Sequence, residues 1–308
     1  MKTKKGISWA DRLKRLDRGK YCYLMFLPVF IYFVIFYYVP MYGIIISFQD
    51  YSPFTGFFGS PWVGLKHFKS FFDGFYFWQI MWNTLYLNIL NIVFTFPFPI
   101  IFALLLNEVK NIRFKKTVQT VSYLPHFISV VVIVGIVSDF FAMDGVINKM
   151  IVALGGEAYS YMSDASYFRG IYVGSGLWQE LGWNAIIYIA ALSGINAELY
   201  EAATIDGAGR LRKLWHITIP GIAPTIIITL LLSMSAMLTV GFDKIFLMQN
   251  SLNTQVSEVI STYVYKRGIE SGSFSFATAV GLFNNIINVI LIAAVNKASK
   301  KINDVSLW

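Results

Sequence analysis

Three polar stripes interrupt otherwise apolar stretches of this 308-residue chain. Thr84, Asn88, Asn91 and Thr95 follow one another at spacings of four, three and four. Glu180, Asn184 and Tyr188 recur every four residues with Trp183 beside them. Asn284 and Asn288 stand one turn apart, with Asn285 adjacent. On a helix, each set shares a face. Amides, hydroxyls and a carboxylate can hydrogen-bond a hydroxyl-rich solute, and Trp and Tyr rings offer flat faces to its C–H surfaces, so the stripes suit the passage of a sugar. The same side chains can also bond neighbouring helices, at roughly 0.6 kcal/mol per contact in membranes, and both readings stand for every member.

Covalent chemistry has no visible machinery. HExxH, CxxC and GxSxG patterns are absent. His67, His126 and His216 lie far apart, so no metal site is expected; His216 fits a polar surface better. Cys22 is the only cysteine, so no internal disulfide forms and the redox compartment is unreadable. Gly59–Gly64 has the glycine spacing of a P-loop, but Leu65-Lys66 follows in place of Lys and Ser/Thr.

A charged island, EAATIDGAGRLRKLWHITIP, runs from Glu201 to Pro220. Asn196 is placed to cap a helix, with Glu198 and Glu201 near its positive end. Ala202 and Ala203 favour helix, and Gly207 can turn the chain after two turns. A second short helix is expected over about Arg210–Ile217, with Pro220 in the first turn of the element that follows. By charge alone this is either a protein-docking surface or an amphipathic helix held on the inner leaflet by Arg210, Arg212 and Lys213.

The elements that must position these groups are membrane helices. Apolar residues make up 56% of the chain and charged ones 14%, against about 25% charged in soluble domains; mean hydropathy is +0.58. Six runs are long and apolar enough to cross a bilayer, at about Tyr21–Phe48, Trp78–Leu106, Val118–Phe141, Tyr167–Leu192, Ile222–Met248 and Ala277–Val295. Pro28, Pro40, Pro97 and Pro99 lie in or near them and predict kinks. The net charge of +8 does not point to nucleic acid, because the basic residues gather at one set of helix ends. Residues 1–20 carry eight of them, Lys110–Lys116 four, Arg210–Lys213 three, and Lys297, Lys300 and Lys301 follow. The positive-inside rule then puts both termini and the charged island in the cytoplasm of a multi-pass cell-membrane protein. Arg169 and Lys244 fall near outer helix ends. The basic N-terminus does not read as a signal peptide, since the apolar run after it is too long. The first outer segment, Gln49–Phe77, reads as a folded cap or a plain connector. The chain thus divides into a basic N-terminal segment, 1–20, and a transmembrane domain, 21–308, with the charged segment at 196–220.

Glu201-Ala202-Ala203, Gly207, Ile217 and Ile219-Pro220 together resemble the EAA motif of ABC importer permeases, with Ile219 where the family more often has Leu. Trp62–Phe68 (WVGLKHF) resembles an outer-loop element of sugar permeases, with His67 in place of Asn. WQELGWNAIIYIAALSGI (178–195) resembles their fourth membrane helix, and Phe242–Phe246 the element after the fifth. Gln249–Asn253, in place of a common Gly-Gly-Pro turn, SEVISTYVYKRGI and the terminal Ser306-Leu307-Trp308 point to the branch handling complex oligosaccharides with lipoprotein binding partners. The resemblance covers nearly the whole chain and implies an all-α, six-helix type I importer permease with a cytoplasmic coupling-helix loop. It implies an oligosaccharide importer in which Glu201, Ala202, Ala203, Asp206, Gly207 and Ala208 dock on an ATPase. A second permease, two ATPases carrying ATP and Mg, and an extracytoplasmic binding protein are the implied partners. This chain itself would hold no cofactor. Glu180, Trp183, Asn184, Tyr188, Asn88, Asn91, Asn284 and Asn288 are the candidate pathway residues. A non-sugar importer, or an ion-coupled carrier with Glu180 as its buried acid, is the alternative.

Overall fold

The computed structural model describes residues 20–235 and 241–303. The basic segment before Lys20, the stretch 236–240 inside the fifth apolar run, and the terminal Ser306-Leu307-Trp308 lie outside them. Among the described residues the fold is helical, with a single isolated antiparallel bridge, Gln49 to Trp62.

Among the described residues, four helices are long and apolar enough to cross a membrane: α1 (Lys20–Phe48), the apolar part of α9 (Ile219–Ser235 with its lead-in from Arg210), α3 (Phe77–Glu108) and α12 (Phe274–Asn303). Of the prolines expected to kink the helices, Pro40 and Pro97 adjoin irregular turns, whereas Pro28 and Pro99 lie within regular helix. In α1 the turn Val34–Tyr38 widens to a π-helix just before Pro40, and the Val39 N–H reaches back to Val34 O. In α3 the regular helix breaks at Phe96, before Pro97, which has no N–H to give. No residue of Lys20–Phe33 is buried; α1 meets the bundle chiefly through its C-terminal end, Tyr42–Phe48, against α12 and α2 (Lys66–Phe72).

Two expected crossings take a different form. The third run is not straight: Ile112–Phe127, comprising α4 (Ile112–Tyr123) and a 3-10 turn, meets α5 (Val130–Phe140) at 103°. Pro125 lies in that turn, and the Ser129 hydroxyl caps α5 by accepting from Val132 N at 3.4 Å. In the fifth run the described helix covers Ile219–Ser235, and beyond the stretch 236–240 a separate short helix, α10 (Phe242–Met248), starts after Gly241. α6 (Val146–Ala153) lies in the loop after α5.

The mast of the bundle is α7 (Ala165–Ser193), 29 residues long and therefore about 44 Å. Arg169, Gln179, Glu180 and Asn184 make it less apolar than the other spans, and it is enclosed by α3, α4, α5, α9 and α10. Its N-terminal half joins Leu87, Ile133, Val137, Ile245 and Met248 in one core cluster; its C-terminal half joins Ala103 and Ile222 in another. Gly182 makes one of these contacts possible, because a Cβ there would lie 2.2 Å from the backbone oxygen of Ser122 in α4.

The segment after α1, expected on the outer side, folds as a compact cap. Besides the bridge, Val63 N and Gly64 N both donate to Phe48 O, and Gly64 takes φ +60°. His67, at the position where the related element carries Asn, is buried and bonds Gln49 O at 3.1 Å.

Candidate functional site: a docking hairpin and a polar cavity

The charged island folds as a short hairpin. α8 (Ala197–Ile205) starts at Asn196, whose side chain accepts from Glu198 N at 3.0 Å. It ends in a Schellman pair of hydrogen bonds, Ala208 N to Ala203 O at 2.8 Å and Gly207 N to Thr204 O at 3.1 Å, which needs the left-handed φ of +76° at Gly207. The second arm, Arg210–Lys213, continues through a π turn, Leu214–Thr218, directly into α9. Pro220 lies in the first turn of the regular helix Ile219–Ser235, as expected, and the wide turn ahead of it absorbs the missing donor, with Ile219 N reaching Leu214 O.

Two side-chain ties hold the arms together. Lys213 Nζ donates to Thr204 Oγ1 at 2.6 Å, and Tyr200 OH meets Thr218 Oγ1 at 3.0 Å. At the base, Ile195 just beyond α7 packs so close to Gly221 that a Cβ there would lie 2.8 Å from Ile195 Cδ1. The hairpin is therefore fixed to α7 and α9 at once. Glu201, Ala202, Asp206 and Gly207 are exposed, Ala203 and Ala208 half-buried. Around them Leu199, Ile205, Leu211 and Trp215 are apolar yet exposed, Ile205 to 87%, a patch suited to protein contact.

The polar stripes of α3 and α7 face each other. Asn88, Asn91 and Thr95 line one wall of a cavity of about 510 Å³, Trp183, Asn184 and Tyr188 another, and Thr229 and Ser233 of α9 a third. A second cavity of about 410 Å³ shares Asn91, Thr95 and Asn184 and adds Gln179, Glu180 and Lys244. Six of the eight candidate pathway residues thus come together. Asn284 and Asn288 do not line either cavity, because α12 packs against α9, α2 and the end of α1 instead.

Some of these groups also bond within the bundle. Tyr188 OH meets Thr229 Oγ1 at 2.8 Å, and Asn88 donates to Thr84 O at 2.8 Å. Thr84 Oγ1 accepts from Ile260 N at 3.0 Å, tying α3 to α11 (Ile260–Tyr265). Glu180, Trp183 and Asn184 remain accessible. Glu180 accepts from or pairs with His126 Nδ1 at 2.9 Å, and the His126 ring stacks on Trp183 at 4.1 Å, nearly parallel. His126 reaches them from the elbow of the bent third span. Its sequence position, isolated from the other histidines, gave no sign of this. Lys244 of α10 lies against α7 about two turns from its Ala165 end, donating to Tyr172 O at 3.2 Å.

Residues 82–301 match the family described as binding-protein-dependent transport system inner membrane component. The chain belongs to this family. The permease is 47% identical to protein LplB of Bacillus subtilis (strain 168) over 305 residues, covering 99% of this chain and 95% of that protein. It is 46% identical to the polygalacturonan/rhamnogalacturonan transport system permease protein YteP of the same organism, covering 96% and 92%. Its structure superposes with a TM-score of 0.89 and 37% identity on a chain of a bacterial ABC transporter involved in import of the acidic polysaccharide alginate, covering 94% of this chain and 99% of that one. The same transporter in complex with an alginate pentasaccharide-bound periplasmic protein aligns as well, with a TM-score of 0.89. The expected fold, an all-α importer permease of the multi-pass inner-membrane kind, is thereby established. So is its class: a transport subunit whose ATPase is a separate chain. An ion-coupled carrier finds no support among these relatives.

Proposed function

We propose that this permease imports oligosaccharides handed over by an extracytoplasmic binding protein, and that α8 is where an ATPase drives it. It pairs with a second permease, above two ATPase subunits that hold ATP and Mg. Residues 1–20 form a basic cytoplasmic segment, 21–308 the transmembrane domain, and both termini face the cytoplasm, as the basic helix ends indicate. The observation that carries this reading is the continuity of the docking hairpin with the cavity walls. Glu201, Ala202, Ala203, Asp206, Gly207 and Ala208 form an exposed surface, tied to Thr218 and Ile195 at the roots of α9 and α7. Those two helices carry Trp183, Asn184, Tyr188 and Thr229 into the cavity. A displacement of α8 must therefore move the walls on which a sugar would lie. Glu180 and Trp183, with Asn88 and Asn91 opposite, supply the acceptors, donors and ring face for it.

The test is the whole transporter, purified with its co-expressed neighbours and assayed for ATPase stimulation and uptake over a panel of oligosaccharides. At least one member is expected to stimulate hydrolysis. Gly207→Pro cannot reach φ +76° and loses the bond to Thr204, and Glu201→Lys reverses the docking charge. Each is expected to cut ATP-dependent uptake roughly tenfold or more, in line with strain of about 1–3 kcal/mol at such a position. Full uptake by both variants in an assembled complex refutes the docking assignment.

A further inference from the structure

Two cavities each hold a cation that has no carboxylate within ion-pair distance among the described residues. One is the Lys244 cavity. The other, about 620 Å³, lies at the outer cap between Asp50, His67, Ser70, Tyr263, Arg267 and Ser273. In both, the cation rests on a tyrosine: Lys244 Nζ is 5.2 Å from the centre of the Tyr172 ring, and Arg267 Cζ is 5.4 Å from that of Tyr263. Lys244 has its place because Gly176 lacks a Cβ, which would stand 3.3 Å from Nζ.

The neighbouring acids are treated differently. Asp50 is engaged by Lys66 at 3.0 Å, and Glu180 by His126 at 2.9 Å. Asp243 is exposed and opens the first turn of α10, where backbone N–H groups favour a carboxylate. Each cavity thus offers a positive charge on an aromatic face, flanked by amides or hydroxyls. Holding Lys244 half-buried with no carboxylate bonded to it among the described residues is costly, and a neutral sugar does nothing to offset that. A uronate does: its carboxylate meets the cation in a charge-assisted hydrogen bond, and its ring lies on the aromatic surface.

We propose that this permease selects acidic saccharides, with Arg267 meeting their carboxylates at the outer mouth and Lys244 meeting them deeper in the path. The proposal rests on reading the inner cavity as a saccharide path. The experiment uses the complete transporter with its native binding protein in liposomes. It follows ATP-driven uptake of trigalacturonate and trimannuronate, each beside its methyl ester, with arabinotriose and maltotriose as neutral probes. The wild type takes up an acid in preference to its ester. Lys244→Gln lowers the acid-to-ester ratio roughly tenfold, the scale of one hydrogen bond to a charged group, while Lys244→Arg keeps it. Arg267→Gln lowers it about threefold, as suits an exposed cation. Because the same binding protein serves every variant, its own selectivity cancels in the comparison. Uptake of neutral probes or esters in preference to acids overturns acid selection while leaving saccharide import standing; uptake of no saccharide at all removes the underlying reading. An unchanged ratio in both Gln variants overturns the role of the two cations. Should Lys244→Gln fail to assemble, the wild-type ratio and the exposed Arg267→Gln variant decide.

Discussion

The docking hairpin and the polar cavity are built on opposite principles. The hairpin is local: its cap, its Schellman turn and its two ties join residues no more than 18 positions apart. The cavity is assembled from α3, α7 and α9, and contacts such as His126 to Glu180 span 54 positions, Tyr188 to Thr229 41. A module of the first kind keeps its shape while the bundle around it moves, which is what a transmission element needs. A site of the second kind changes whenever its helices shift, which is what an alternating path needs. The contrast teaches that the exposed edge of this permease is held by local contacts, and its centre by contacts between distant segments.

Substitutions at the two sites should fail in different ways. Gly182→Val drives a side chain into the Ser122 backbone and is expected to destabilise the assembled transporter by about 1–3 kcal/mol, read as a lower melting temperature in detergent. An unchanged melting temperature breaks the claim that the elbow of the third span closes on α7. Tyr188→Phe removes the bond to Thr229 and should cost about 0.6 kcal/mol, with a shift in uptake at least as large as that in stability. If only stability moves, the residue is interhelical glue and not part of the path. Thr204→Val removes the Lys213 tie on the exposed hairpin. Stability should stay within about 0.5 kcal/mol, while uptake per ATP hydrolysed falls. Unaltered coupling would mean the tie transmits nothing.

Legibility in the sequence follows the same division. Asn196, Gly207 and the arm beginning at Arg210 were readable because capping and left-handed turns are set by neighbouring residues, and the structure bears out each. Pro220 was readable too, in the first turn of the helix that starts at Ile219, though not the π turn that joins it to the arm before. The stripes on α3 and α7 were readable as faces but not as a shared cavity, and that on α12 had an equal claim and did not join. His126 carried no signal, because the 103° elbow brings it to α7 from elsewhere, and nothing local showed that α10 sets Lys244 beside Tyr172.

By itself, the sequence determined that the chain is a helical membrane protein, which residues share each helical face, and where the hairpin turns. The tertiary structure decided which faces meet, that the third span bends, that α7 is enclosed by its neighbours, and which charges stand beside the path. The physical reason is that lipid and protein interior are equally apolar. Helical period fixes a face, but without a hydrophobic gradient only packing and hydrogen bonding between helices decide which way it turns.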